Sequence, residues 1–242
     1  MTEKSPTIEK LFEAGAHFGS GRSRAHPSSK EFVFGVKSNS QLINLEDTEK
    51  QLEKAKEFVA SIAKKGKAII FVGTKHESRA IIRDTATALG MPYVMNRWMG
   101  GTFTNFSEIK KRIAELESLT ERREAGELSK FTKKERLLID RDIEKLERQF
   151  GGLVGMATLP GVLFVVDSRH EHIAVTEAKN VGIPVVAISN LDCDISRIDY
   201  PIVANDAAIP SINFFVDAIR RAYEAGLNQK DNPTEKKETK LA

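Results

Sequence analysis

The sequence has one cysteine, Cys193, one tryptophan, Trp98, and no apolar run approaching the length of a membrane span. A lone thiol excludes an intramolecular disulfide framework and a cysteine-rich zinc site, and it fits a reducing cytoplasm. Residues 1–10 hold no apolar core of a secretory leader, so none is expected there. Charge of one sign is also scarce, because 37 Lys and Arg stand against 34 Asp and Glu, a net of +3. That balance permits a nucleic-acid partner without demanding one, so the placement of the cations must carry the argument. Hydrophobic residues make up 40% of the 242, enough core for one domain of ordinary size with room for an appendage.

Signatures of enzymes are missing as well. No GxGxxG follows a strand-like run, Gly73-Thr74-Lys75 is too short for a phosphate-binding P-loop, and no Ser or Cys occupies a nucleophile elbow. Asp167, Asp192, Asp194, Asp199 and Asp206 follow expected strands, where clustered carboxylates could hold Mg²⁺ and a phosphoryl group. Asp is more commonly found there as a cap or turn former. Cys193 lies between two Asp, whose charge disfavours its thiolate, and it makes a poor nucleophile. His17 and His26 lack the Cys or carboxylate neighbours that would complete a metal site.

Strand and helix patterns alternate along the chain. Ser5 or Thr7 can cap a first helix over residues 8–14, followed by a polar, glycine-containing loop over residues 17–27. Residues 32–35 and 41–45 read as a hairpin around Lys37-Ser38-Asn39-Ser40. Asp47 or Thr48 then caps a helix to residue 65, with Leu52, Ala55, Phe58, Val59 and Ile62 as its buried stripe. Residues 67–74, 92–95, 162–167, 185–189 and 200–203 read as strands, several of them apolar throughout, as in a sheet buried on both faces. Helices are expected over residues 77–89 and 172–180, and a last one ends near Gly226, with Ile212, Phe215, Ile219 and Tyr223 inward.

Between these halves, Ile109, Ile113, Leu116 and Leu119 form one narrow stripe, and Ile139, Ile143, Leu146 and Phe150 another. A turn at residues 124–127 separates them. This is the pattern of an antiparallel helical hairpin with a self-contained, coiled-coil-like seam and a highly charged exterior. The expected fold is α/β, a doubly wound and mostly parallel sheet of about five strands with right-handed crossovers. Residues 1–106 and 151–227 would form a single discontinuous domain, residues 107–150 the inserted hairpin, and residues 228–242, poor in apolar side chains, a disordered tail.

The most distinctive stretch is residues 96–106, Asn-Arg-Trp-Met-Gly-Gly-Thr-Phe-Thr-Asn-Phe. Arg97 beside Trp98 offers a fixed cation and a stacking plane, suited to phosphate and base or ribose surfaces. Trp98, Phe103 and Phe106 could equally plug the end of a core. Arg22, Arg24 and His26 sit in the polar loop, and Lys110, Lys111 and Arg112 follow the Trp98 stretch at the hairpin root.

That stretch resembles the signature of the bacterial small-subunit ribosomal protein two family. Further segments agree in order: Leu-Phe-Glu-Ala-Gly-Ala-His-Phe-Gly over residues 11–19, Ile-Phe-Val-Gly-Thr-Lys over 70–75, and Leu-Phe-Val-Val-Asp over 163–167. Glu-His-Ile-Ala-Val over 171–175, Gly-Ile-Pro-Val-Val-Ala-Ile over 182–188 and Asp-Tyr-Pro-Ile over 199–202 complete it. At Ser20 and over residues 25–28, Ala-His-Pro-Ser, the chain departs from the family pattern of a further His and a Trp-Asn-Pro-Lys-like run. Contacts made by those residues elsewhere do not carry over. The resemblance implies a flavodoxin-like strand order and a non-enzymatic, cytoplasmic component of the small ribosomal subunit with no cofactor or small-molecule substrate. It further implies partners: 16S ribosomal RNA, neighbouring small-subunit proteins, and ribosomal protein one. The candidate RNA or partner contacts are Arg22, Arg24, His26, Arg97, Trp98, Thr102, Asn105, Lys110, Lys111 and Arg112. The alternative is a phosphate- or metal-binding enzyme on the same fold.

Overall fold

The computed structural model describes residues 5–230. Helix α1 (Pro6–Glu13) starts at Ser5, whose hydroxyl accepts the Thr7 amide, and the chain turns away at Gly15, φ +72°. Strands β1 (Phe18–Gly21), β2 (Val33–Lys37) and β3 (Ser40–Ile43) form an antiparallel sheet in the order β1-β3-β2. Ser38 and Asn39, φ +48° and +69°, make the left-handed turn that suits a two-residue hairpin. Strand β1 lies where a loop is expected from sequence. Its Phe-Gly-Ser-Gly has no period-two apolar pattern, and Gly19 serves a close approach: an added Cβ would lie 2.9 Å from the Gln41 carbonyl oxygen.

The main sheet is parallel. Strands β4 (Ile69–Val72), β5 (Tyr93–Val94), β6 (Val162–Val166), β7 (Val185–Ser189) and β8 (Tyr200–Val203) lie in the order β5-β4-β6-β7-β8. Counted along the chain, this is the 2-1-3-4-5 order of flavodoxin-like folds, as expected. Successive side chains point to opposite faces. Phe71, Phe164 and Ile188 enter a core with α2 (Leu45–Lys64), α3 (His76–Leu89) and α7 (Ile209–Lys230). Ile70, Val72, Leu163 and Val165 enter another, with α6 (His172–Val181) and the roots of α4 (Phe106–Glu124) and α5 (Lys133–Phe150).

Three boundaries differ from the sequence reading. The cap of α2 is Asn44, whose side chain accepts the Glu46 amide at 3.1 Å, because the Thr48 hydroxyl is drawn to the Val203 carbonyl at 2.7 Å. Helix α7 runs through Gly226 instead of ending there. An added Cβ at Gly226 would lie 2.5 Å from the Ala60 carbonyl oxygen, so the glycine permits close helix crossing. Residues 228–230, assigned to the tail, are therefore helical, and the rest of the tail lies outside the described residues. Third, the hairpin seam is not self-contained. Ile109 and Ile113 of α4 and Phe150 of α5 share a buried cluster with Ile70, Val72, Val94 and Trp98, so the hairpin root belongs to the domain core.

Candidate nucleic-acid interface

A doubly wound sheet normally binds its ligand beyond the strand C-terminal ends. Here a charge cluster internal to the chain lies at those ends. Lys75 Nζ lies 2.5 Å from Asp167 Oδ2 at the end of β6 and 2.9 Å from Asp206 Oδ2 beyond β8. Asn190 donates to the other Asp206 oxygen at 3.0 Å. Although burial opposes its charge, the two carboxylates hold the Lys75 ammonium protonated well above its ordinary range. Burial would raise Asp167, but Lys75 and the His170 and Arg169 amides bring it below the usual carboxylate range. Asp206 is raised, first by burial and then by the Asp167 charge. Asp167 takes a left-handed conformation, φ +66°, uncommon for a non-glycine residue, and its Oδ1 accepts the Arg169 and His170 amides.

The other carboxylates weighed for Mg²⁺ have structural partners. Asp192 pairs with Arg169 at 2.7 Å, Asp194 accepts the Ser196 amide at 3.2 Å, and Asp199 accepts the Val185 amide at 2.8 Å. Among the described residues no His, Cys, Asp and Glu group has a metal-binding arrangement. Cys193 is buried, which pushes its thiol up to about 12; Asp167 and Asp192 add to burial as secondary causes. Burial, more than the neighbouring charge emphasised from sequence, makes it unreactive.

The 96–106 loop wraps around a carboxylate. Glu177, buried on α6, accepts the Gly101 amide at 2.6 Å through one oxygen and the Phe103 amide at 2.9 Å through the other. Thr102 closes the turn by donating its hydroxyl to the Met99 carbonyl at 2.6 Å. This order splits the loop into an inner and an outer set. Trp98 is 4% exposed and meets Phe103 edge to face at 4.9 Å, and Thr102 is 1% exposed. Both were candidate contacts; the structure corrects this, because their side chains are spent on the core and on the turn. Arg97 and Asn105 point outward and remain exposed.

Of the other candidates, Arg22 and Arg24 are exposed in a 3-10 turn after β1, and neither has a carboxylate within ion-pair distance among the described residues. His26 is a turn residue instead: its Nδ1 lies 2.7 Å from the Ser28 hydroxyl and 4.0 Å from Asp194. At the hairpin root, Lys110 lies 5.1 Å from the centre of the Phe106 ring, while Lys111 and Arg112 are paired with Glu108 and Glu115. The structure thus puts Asn105 and Lys110 at the start of α4, and Arg97 in the loop before it, and leaves Arg22 and Arg24 in a separate loop.

Beside Arg97 lies a cleft of about 540 Å³ that the sequence reading missed. Arg79 of α3 and Arg97 form one side, and Arg141, Lys145 and Arg148 of α5 the other, with Glu144 as its one acidic residue. None of the five cations has a carboxylate within 4.0 Å among the described residues. Arg79 is held by donating Nε to the Thr74 carbonyl at 2.9 Å, and Asn96 closes one end by donating to the Arg148 carbonyl at 2.9 Å. The spacing 141, 145, 148 was a legible signal, since it puts three cations on one helical stripe. Amid mixed charges it reads as a solvated surface. Arg79 carried no signal at all.

The family described as Ribosomal protein S2 matches residues 11–226. The small ribosomal subunit protein uS2 of Sulfurimonas denitrificans is 46% identical over 220 residues, 91% of this chain and 85% of that one. That of Nitratiruptor sp. is 42% identical over 236 residues, covering 98% and 88%, and that of Chloroflexus aggregans 38% over 238, covering 97% and 100%. By the extent of these matches the chain belongs to the ribosomal protein S2 family, a family of structural proteins and not of enzymes.

Proposed function

We propose that this protein binds 16S ribosomal RNA and neighbouring proteins in the small ribosomal subunit of the bacterial cytoplasm, and helps to dock ribosomal protein one. The observation that carries the RNA reading is the state of the candidate cations. Arg22, Arg24, Arg97 and Lys110 are exposed and have no ion-pair partner among the described residues. Phosphates would pair with them without breaking an internal ion pair. The hairpin serves as an arm for such a partner: beyond its root, its outer faces carry charge of both signs. Protein docking is supported by Phe12, Phe18, Phe34 and Val36, more than half exposed around the β1–β3 sheet, where an apolar patch suits a partner surface.

The test combines co-sedimentation with small subunits and binding of 16S ribosomal RNA over a range of salt. The wild-type chain is expected to show a steep salt slope, and Arg22→Gln with Arg24→Gln to flatten it by about 0.7–0.9 per lost phosphate contact. Phe34→Ser should weaken retention of ribosomal protein one while leaving the RNA slope unchanged. Salt-independent RNA binding by the wild type would sink the RNA reading.

A further inference from the structure

We propose that the cleft between α3, the 96–106 loop and α5 is a binding site for consecutive phosphates of an RNA strand, and that an occupied cleft clamps the hairpin root to the domain. This deepens the RNA-binding reading and rests on it. Arg79 and Arg97 project from the domain side, and Arg141, Lys145 and Arg148 from the hairpin side. The three on α5 are offset by two residues from the seam positions Ile139, Ile143 and Leu146, which turns them about 200° away from α4. They span about 10 Å of helix at 1.5 Å per residue, room for more than one phosphate.

Five cations against one Glu144 in a concave space repel one another and focus a positive potential outward. An anion between the walls relieves that repulsion, and four of the five are Arg, whose planar fork takes phosphate oxygens two at a time. The lining includes Met99 and Asn96 but no aromatic ring, so a base would find only guanidinium planes to stack on. The occupant is therefore recognised through its backbone, with little sequence preference. The two walls belong to segments far apart in the chain, joined at the cleft end by Asn96 on the Arg148 carbonyl. Bridging phosphates tie them a second time.

The test uses the full chain. Binding of a 16S ribosomal RNA transcript is measured over a salt series for wild type, for Arg141→Gln/Lys145→Gln/Arg148→Gln, and for Arg97→Gln. The triple variant should lower the salt slope by about 2–3, at about 0.7–0.9 per contact, and Arg97→Gln by about 1. Hydrogen exchange should show amides of residues 141–148 slowed by the RNA in the wild type and not in the triple variant. Should the triple variant fail to fold, Arg97→Gln alone decides. Unchanged slopes in a wild type that binds steeply overturn the cleft and leave the RNA reading standing. Loss of subunit co-sedimentation with RNA binding intact also overturns it, and assigns the cleft to an acidic protein surface. A wild type with no salt-dependent binding removes both.

Discussion

One turn of α3 separates two opposite uses of positive charge. Lys75, just before the helix, turns inward and is held between Asp167 and Asp206; Arg79, four residues on, turns outward into the cleft with no acidic partner. The inward cation ties together the segments that follow β4, β6 and β8. The outward one joins four others whose charge is left for something outside the chain. The difference separates charge spent inside the fold from charge left at its surface. A buried pair is costly to break and contributes nothing to association, whereas an exposed, unpaired cation contributes little to folding and much to encounter with a polyanion.

The largest effect should come from removing the hairpin. Replacing residues 107–150 by a short linker takes Ile109, Ile113 and Phe150 out of the core, and the product should lose its cooperative denaturant transition. Removing only residues 121–137 keeps those side chains and the α5 wall of the cleft, so that variant should unfold cooperatively and bind RNA through the cleft. Survival of the longer deletion would show that the root is dispensable.

Next in size is Lys75→Met, which leaves two buried carboxylates facing each other. Stripping one partner from such a cluster costs about 3–5 kcal/mol, readable as a shifted urea midpoint. The folded fraction should keep its RNA salt slope. A slope that falls with the stability would erase the contrast between the two regions.

Adjacent residues sharpen the same contrast within one loop. Trp98→Ala should cost about 3–5 kcal/mol, as for a buried aromatic side chain. Arg97→Ala should stay within about 0.5 kcal/mol while weakening subunit binding. Equal destabilisation by both would make Arg97 a structural brace.

The smallest effect concerns Cys193. With its folded pKa pushed up to about 12, against about 8.5 for a free thiol, it should resist alkylation at pH 8.5 in the native protein and react once urea is added. The sign follows from linkage. A raised folded value means stability that is fully present below the unfolded pKa and lost as pH rises toward the folded one. Cys193→Ala should therefore lessen alkaline destabilisation. Rapid native labelling would show an open path to the sheet end.

Much of the architecture was readable because burial leaves a periodic trace. The stripe Leu52, Ala55, Val59, Ile62 of α2 and the seam of the hairpin repeat at the helical period, and the unbroken apolar runs of β6 and β7 match strands buried on both faces, so local pattern and tertiary position agree. Residues 96–106 stood out for the same reason a signature does, as an unusual set of neighbours. What one dimension could not decide was direction and company. Trp98 and Arg97 are adjacent, and only packing against Phe103 and the Glu177 carboxylate determines that one is inside and the other out. Gly19 and Gly226 look like punctuation until a neighbouring strand's carbonyl and a crossing helix are placed against them. Lys75 finds Asp167 and Asp206 only when β4, β6 and β8 end at the same side of one sheet, and the cleft exists only because α5 returns past α3. Periodicity is a property of neighbours along the chain. Charge pairing and the closing of a crevice are properties of neighbours in space, and those the tertiary structure alone supplied.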